Sequence, residues 1–211
     1  AVVGKSVFEA YRDYPVIIES IKRVLAGKEH RVEYELSGLV FDTWLAPVMA
    51  ADGSQIGMMG VAADVTEQKR AEAASRLNEE RLQSLHDLHH KDFAQEIELI
   101  EHALEEAVRL TGSTIGYFHF VAEDQANLQL MTWSSEVKRT CTASAERHYP
   151  LSLAGVWADS LRTRKPVVHN DYQGLIEKKG YPEGHSHIVR HASVPVIHDG
   201  KVVLISGVGN K

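Results

Sequence analysis

The pattern of apolar and polar positions divides this chain into three zones. Residues 1–64 read as helix followed by strands: a helical stretch from Pro15 to Ala26, then strands over Phe41–Val48 and Gln55–Ala63 on either side of the turn pair Asp52-Gly53. Residues 65–110 are rich in Glu, Lys, Arg and Ala, and no glycine or proline occurs from Val61 to Thr111, which predicts helix. Residues 111–211 mix strands, loops and short helices and hold four of the six prolines. There the pattern predicts strands over Ile115–Val121 and Leu128–Trp133, a helix over Leu153–Arg164, and a strand over Lys165–His169. A hairpin of Ala192–Ile197 and Val202–Val208 closes around Asp199-Gly200.

The helical zone has a phase break. Phe93, Ile97, Ile100, Leu104 and Ala107 keep a 4-3-4-3 spacing and fall on one stripe. Leu85 and Leu88 keep such spacing too, but Leu88 to Phe93 is a jump of five. Asp92 with Gln95 resembles a capping box. The expectation is a linker helix over about 66–89 and a second over about 93–110, kinked or offset at His89–Asp92. If continuous, the pair would extend roughly 65–70 Å at 1.5 Å per residue. A helix that long with a sparse apolar stripe needs a partner. The predicted one is a second copy, through a parallel coiled coil; the alternative is packing on its own domains.

Composition narrows the classes. The chain has 211 residues, 44% hydrophobic and 25% charged, as in an ordinary globular protein of one or two domains. The net charge is −6 and no basic stripe appears, which excludes a typical nucleic-acid binder. Apolar runs are too short to span a bilayer, so no membrane contact is expected of this chain. One cysteine, Cys141, excludes an internal disulfide and fits a reducing, cytoplasmic compartment, although the parent can be membrane-anchored elsewhere.

The run Asp52-Gly-Ser-Gln-Ile-Gly-Met-Met-Gly-Val-Ala-Ala-Asp-Val-Thr66, continuing into Glu67-Gln-Lys-Arg-Ala-Glu72, resembles the end of a PAS domain, with its Asp-Val-Thr exit into a signalling helix. Val3-Gly-Lys-Ser6, Pro15–Ala26 and Gly27-Lys-Glu29 match the same family's second half. The resemblance implies that Asp64 and Thr66 transmit a signal. It also implies that the family's first strands would precede Ala1. Only Tyr34, Trp44 and Met58–Met59 are placed to touch a ligand in this half.

Residues 79–211 resemble a GAF domain. Thr111-Gly-Ser-Thr-Ile-Gly116, Thr132-Trp-Ser134, Leu153-Ala-Gly-Val-Trp157, Arg164–Tyr172, Val194-Pro-Val196 and Gly207-Val-Gly-Asn-Lys211 carry the likeness. It implies an α+β architecture: an antiparallel-sheet PAS fragment joined by a long helix to an α/β/α-type GAF domain with a central antiparallel sheet. The expected divisions are 1–65, 66–90 and 91–211, with the family's last helix following Lys211.

Several residues are candidates for chemistry. Asn170-Asp171-Tyr172 with His185 and Arg190 sit in connections where a GAF domain keeps its small-molecule pocket, and Trp133 and Trp157 would wall it. Arg190 can fork a carboxylate or phosphate; equally, Asn170-Asp171 can form only an Asx turn. The resemblance makes Cys141 a candidate, since a cysteine holds haem covalently in some members of the family and a bilin in others. Thr142 follows it where bilin binders have histidine, and no Cys-x-x-Cys-His pattern occurs. Arg139 and Arg147 would make the thiol reactive. His148, His169, His185, His187 and His191 match no named metal motif and suit pocket lining or backbone bonding. The sequence around His86, His89 and His90 faintly resembles a histidine-kinase phosphoacceptor helix, but no ATP-binding boxes follow. No Walker loop or nucleophile elbow occurs, so the chain is expected not to be an enzyme. The expectation is a sensory module that binds a small ligand, dimerises through the linker helix and drives an output domain of the parent, a histidine kinase or a cyclic-di-nucleotide enzyme. The alternatives are a ligand-free dimerisation module and a covalent-haem redox sensor through Cys141.

Overall fold

The structure is a computed structural model that describes residues 3–141, 148–176, 184 and 186–211. The chain forms two compact units, divided at Asn78–Glu79 inside one helix.

The first unit opens with α1 (Val7–Ala10) and α2 (Pro15–Leu25), followed by β1 (His30–Leu36), β2 (Leu39–Met49) and β3 (Gln55–Asp64). Pro15 fixes the first turn of α2, where its missing N–H costs nothing. Ile17, Ile21 and Val24 fall on one stripe of α2 and are buried. The strands make an antiparallel sheet of order β1-β2-β3, and α2 packs on all three. In β1, half-buried Val32, Tyr34 and Leu36 alternate with exposed Arg31, Glu33 and Glu35. That alternation is a clean strand signal the pattern reading passed over. Ser37 and Gly38, both at positive φ, make the tight β1–β2 turn.

α3 (Thr66–His90) leaves the sheet through a small knot of hydrogen bonds. The Asp64 carboxylate accepts from the Thr66 N–H at 2.9 Å and the Thr66 hydroxyl at 2.6 Å. The Thr66 hydroxyl oxygen accepts from the Val40 N–H at 2.8 Å, and the Val65 N–H donates to the Val40 carbonyl at 2.9 Å. The first turn of the helix is thus tied to β2, and Thr66 is buried.

The second unit holds α4 (Glu96–Thr111), β4 (Ile115–Val121), β5 (Asn127–Trp133), α5 (Ser135–Thr140), β6 (His148–Pro150), α6 (Asp159–Thr163), β7 (Val167–His169), β8 (His191–His198) and β9 (Lys201–Gly209). Its sheet has the order β6-β5-β4-β9-β8-β7, antiparallel throughout. α4 packs on one face at β4, β5 and β9. A Cβ on Gly116 would stand 2.6 Å from the Val108 side chain, so glycine there lets α4 approach. α4 ends in a Schellman motif: Gly112 is left-handed, and the N–H groups of Gly112 and Ser113 bond the carbonyls of Arg109 and Val108. Asp199 and Gly200, both at positive φ, form the two-residue turn of the β8–β9 hairpin.

Two expected helices differ. α3 and α4 are separate, with the non-helical residues between them at the phase break, so the length of roughly 65–70 Å that a continuous pair would have does not apply. α4 starts at Glu96 rather than Phe93 because Gln95 is extended and makes no side-chain cap; the Glu98 carboxylate takes the Ala94 N–H instead. Leu153–Arg164 is not one helix. Extended Gly155 splits it into 3₁₀ turns at Leu151–Leu153 and Val156–Ala158 ahead of α6. The Arg162 guanidinium binds the carbonyls of Leu151, Ala154 and Gly155 that a continuous helix would have used.

Candidate functional site

The sheet face opposite α4 carries the candidate site. Alternation along β4 points Tyr117, His119 and Val121 to this face. Leu128, Val202 and Ile205 join Ala154, Trp157, Ala158 and Leu161 in one buried cluster. Ile115, Val137, Tyr172 and Ile188 form a second, with Trp133, Cys141, Val156 and Leu175 against it.

Polar rings run through this apolar surround. Tyr117 pairs in register with Gly207, which pairs with Ser193 on β8. A Cβ on Gly207 would overlap the Tyr117 ring. Glycine there lets the phenol lie across β9 and reach β8. Tyr117 Oη lies 2.9 Å from the Trp157 carbonyl and 2.9 Å from His191 Nε2. His191 sits opposite His169 across the β7–β8 ladder, with the two Nδ1 atoms 3.3 Å apart. The rings stack: Tyr117 on His191 at 6.0 Å and His169 on His191 at 5.6 Å between centroids. Tyr172, fully buried, meets His191 edge-on at 5.6 Å, and His119 tilts against Trp157 at 4.7 Å.

Donor chemistry orients this chain of bonds. A carbonyl only accepts, so the Tyr117 hydroxyl donates to Trp157. Its oxygen then accepts the Nε2–H of His191. A neutral His191 has its lone pair at Nδ1, which takes the Nδ1–H of His169. Burial keeps the inner imidazoles neutral. It lowers His119 to about 3, and it lowers His191 to about 4 with a further contribution from His169. The site therefore offers aromatic faces and uncharged hydrogen-bonding groups.

Of the residues expected from sequence, the structure brings Tyr172, Trp157, Trp133 and Cys141 to this region. Cys141 is half-buried. Asn170, Asp171 and Arg190 are not brought into it. All three are exposed; Asp171 accepts the Gly174 N–H at 3.0 Å as a turn former, and Arg190 faces the Lys211 carbonyl. His185 lies outside the described residues. Tyr117 and His119 were missed, although polar rings at alternate positions of the apolar strand Ile115–Val121 are a readable signal. Among the described residues, no group of three or more His, Cys, Asp or Glu is placed to hold a metal ion. No described helix is long and apolar enough to cross a membrane.

The sequence profile described as GAF domain matches residues 94–211, more than half of the chain. This chain belongs to the GAF domain family. The six-stranded sheet with α4 on one face and the ring cluster on the other is its GAF unit. The chain is 39% identical over 161 residues to the methyl sulfide methyltransferase-associated sensor of Methanosarcina acetivorans. That match covers 75% of this chain and 16% of the relative, so the chain spans only a small part of that protein. Among solved structures, the GAF domain of a phosphoenolpyruvate-protein phosphotransferase from Coxiella burnetii superimposes with a TM-score of 0.54 at 11% identity, over 65% of this chain and 79% of that one. The free methionine-R-sulfoxide reductase from Neisseria meningitidis gives 0.50 at 15% identity, over 65% and 75%. Both likenesses concern the GAF fold alone.

Proposed function

We propose that this chain is a sensory module in which the GAF unit binds a small molecule and a helical connection passes the signal to an output domain of the parent protein. The observation that carries this reading is the ring cluster. Tyr117, His191 and His169 are joined by hydrogen bonds inside an apolar surround, burial lowers His119 and His191 below the ordinary imidazole range, and such clusters of perturbed groups mark functional sites. The sensor named in Methanosarcina acetivorans supports the signalling role. Because the inner imidazoles are neutral, the ligand class is uncharged or aromatic rather than an anion. Native mass spectrometry of the purified chain tests this: a co-purified small molecule, lost in His191→Phe, is expected. An empty site that also ignores a library of uncharged aromatic compounds would refute it.

The first unit is read as the C-terminal half of a PAS domain. Its three antiparallel strands and the knot at Asp64–Thr66 support that reading. The parent is proposed to be a histidine kinase, with this chain in the cytoplasm and dimerising through α3, where Leu82 and Leu85, three residues apart, are both exposed. Sedimentation of the chain and of Leu82→Lys/Leu85→Lys checks this. A monomer in both would remove the dimer.

A second reading has one contact in its favour. Half-buried Cys141 packs on the cluster of Ile115, Val137, Tyr172 and Ile188, as does Trp133, and an apolar, aromatic surround of this kind is compatible with a porphyrin. Haem bound there would supply an iron sensitive to redox state and small gases. Spectra of the chain and of Cys141→Ala after haem addition and acidic extraction decide it. Equal retained absorbance in both rules out a thioether at Cys141.

A further inference from the structure

The bonds from Trp157 to His169 run in one direction. The Tyr117 proton is committed to the Trp157 carbonyl, the His191 Nε2 proton to Tyr117, and the His169 Nδ1 proton to His191. Only at the outer end is an atom left over. With its proton at Nδ1, His169 keeps a lone pair at Nε2, and no described residue bonds that nitrogen. His169 is half-buried, whereas His191 is 3% exposed, so solvent reaches this outer ring and not the inner one.

We propose that His169 Nε2 is a proton-accepting input site, and that the His169–His191–Tyr117 relay carries its charge state to the Trp157 backbone, in the segment that covers the sheet. This deepens the sensory reading of the same cluster and rests on it. Protonation forms one N–H bond at Nε2. The proton comes from a buffer acid, the positive charge stays on the outer ring, and no bond of the relay breaks. A cationic His169 is a stronger donor to His191 Nδ1, and each bond further in is polarised in turn.

The groups facing the pair support this direction. Tyr117 faces His191 from β4, with His119 beside it, and Tyr172 faces both rings from the loop after β7. Asp171 is turned to Gly174, Arg190 to Lys211, and neither His169 nor His191 joins an ion pair among the described residues. Burial and the neighbouring His169 hold His191 down to about 4, so it does not take the proton itself.

The test is nuclear magnetic resonance on the full chain. Long-range nitrogen-15 spectra near pH 8 are expected to show the Nδ1–H tautomer at His169 and the Nε2–H tautomer at His191. On acidification from that point, the Trp157 carbonyl carbon is expected to follow the His169 ring signals. Tyr117→Phe should abolish the Trp157 response while the His169 ring signals still move. His169→Asn, whose amide retains a donor near the Nδ1 position, should abolish both. Reversed tautomers, a Trp157 carbonyl that stays still in the unaltered chain, or the same response in Tyr117→Phe would overturn the proposal. The tautomers and the Trp157 response are read in the unaltered protein, so a variant that fails to fold does not shelter the idea. A search that finds no small molecule, with this titration intact, removes the pocket ligand and keeps the relay. A bound molecule with a silent Trp157 does the reverse.

Discussion

The three-stranded sheet keeps its ionisable side chains at the surface: Arg31 on Asp42 and Lys69 on Glu33 lie along its outer side. The six-stranded sheet carries His119 and His191 inside. Exposed pairs of the first kind contribute little, because water already solvates both partners and salt screens them. Buried imidazoles of the second kind resist charging, because the interior solvates an ion poorly. The contrast teaches that only one of the two units has its stability linked to proton concentration near neutrality.

That contrast is open to direct attack. The largest effect expected is acid destabilisation of the GAF unit. The folded values of His119 and His191, about 3 and about 4, lie below the unfolded value, so stability is complete above about 6.5 and is lost as the pH falls. Each ring contributes a slope of about 1.4 kcal/mol per pH unit in that window. The carboxylates of the first unit with lowered values, Asp42, Asp52 and Asp64, act only at lower pH, so that unit should stay level until about pH 5. Urea unfolding at several pH values, with Trp44 reporting the first unit and Trp133 and Trp157 the second, separates the two. Equal slopes would erase the contrast, and His119→Phe should halve the steeper one.

Next in size is Gly207→Ala. The added methyl meets the Tyr117 ring, and overpacking of this kind costs about 3 kcal/mol. The second transition should fall and the first should not. Thr66→Val is smaller. It removes the acceptor of the Val40 N–H and a donor to Asp64, at about 1 kcal/mol, and it should lower only the first transition. Smallest is Arg31→Met, which breaks the exposed pair with Asp42 and should leave both midpoints unmoved.

What was legible in the sequence follows the range of the forces involved. The β8–β9 hairpin was readable because Asp199-Gly200 meets the demand for positive φ within two residues. α4 was readable from its stripe, and its start was misplaced because the competing bond comes from Glu98, a side chain the capping pattern does not consider. The broken helix at 153–164 was lost for a similar reason: Arg162 offers three carbonyls an alternative to helix bonds. At the site, Trp157 and Tyr172 stood out as large rings near predicted loops. The link from Tyr117 to His191 did not, because it depends on two cross-strand registers and the missing side chain of Gly207 between them.

The knot at the root of α3 has a mechanical corollary. Val40, Asp64 and Thr66 clamp the base of a helix of 25 residues to one strand. The helix is about 37 Å long, and its far half is held as well, with Glu80 3.1 Å from Arg109 and Ser84 buried. A displacement of β2 at the foot would thus load a beam anchored at both ends, and would be felt as strain along its axis rather than as a swing.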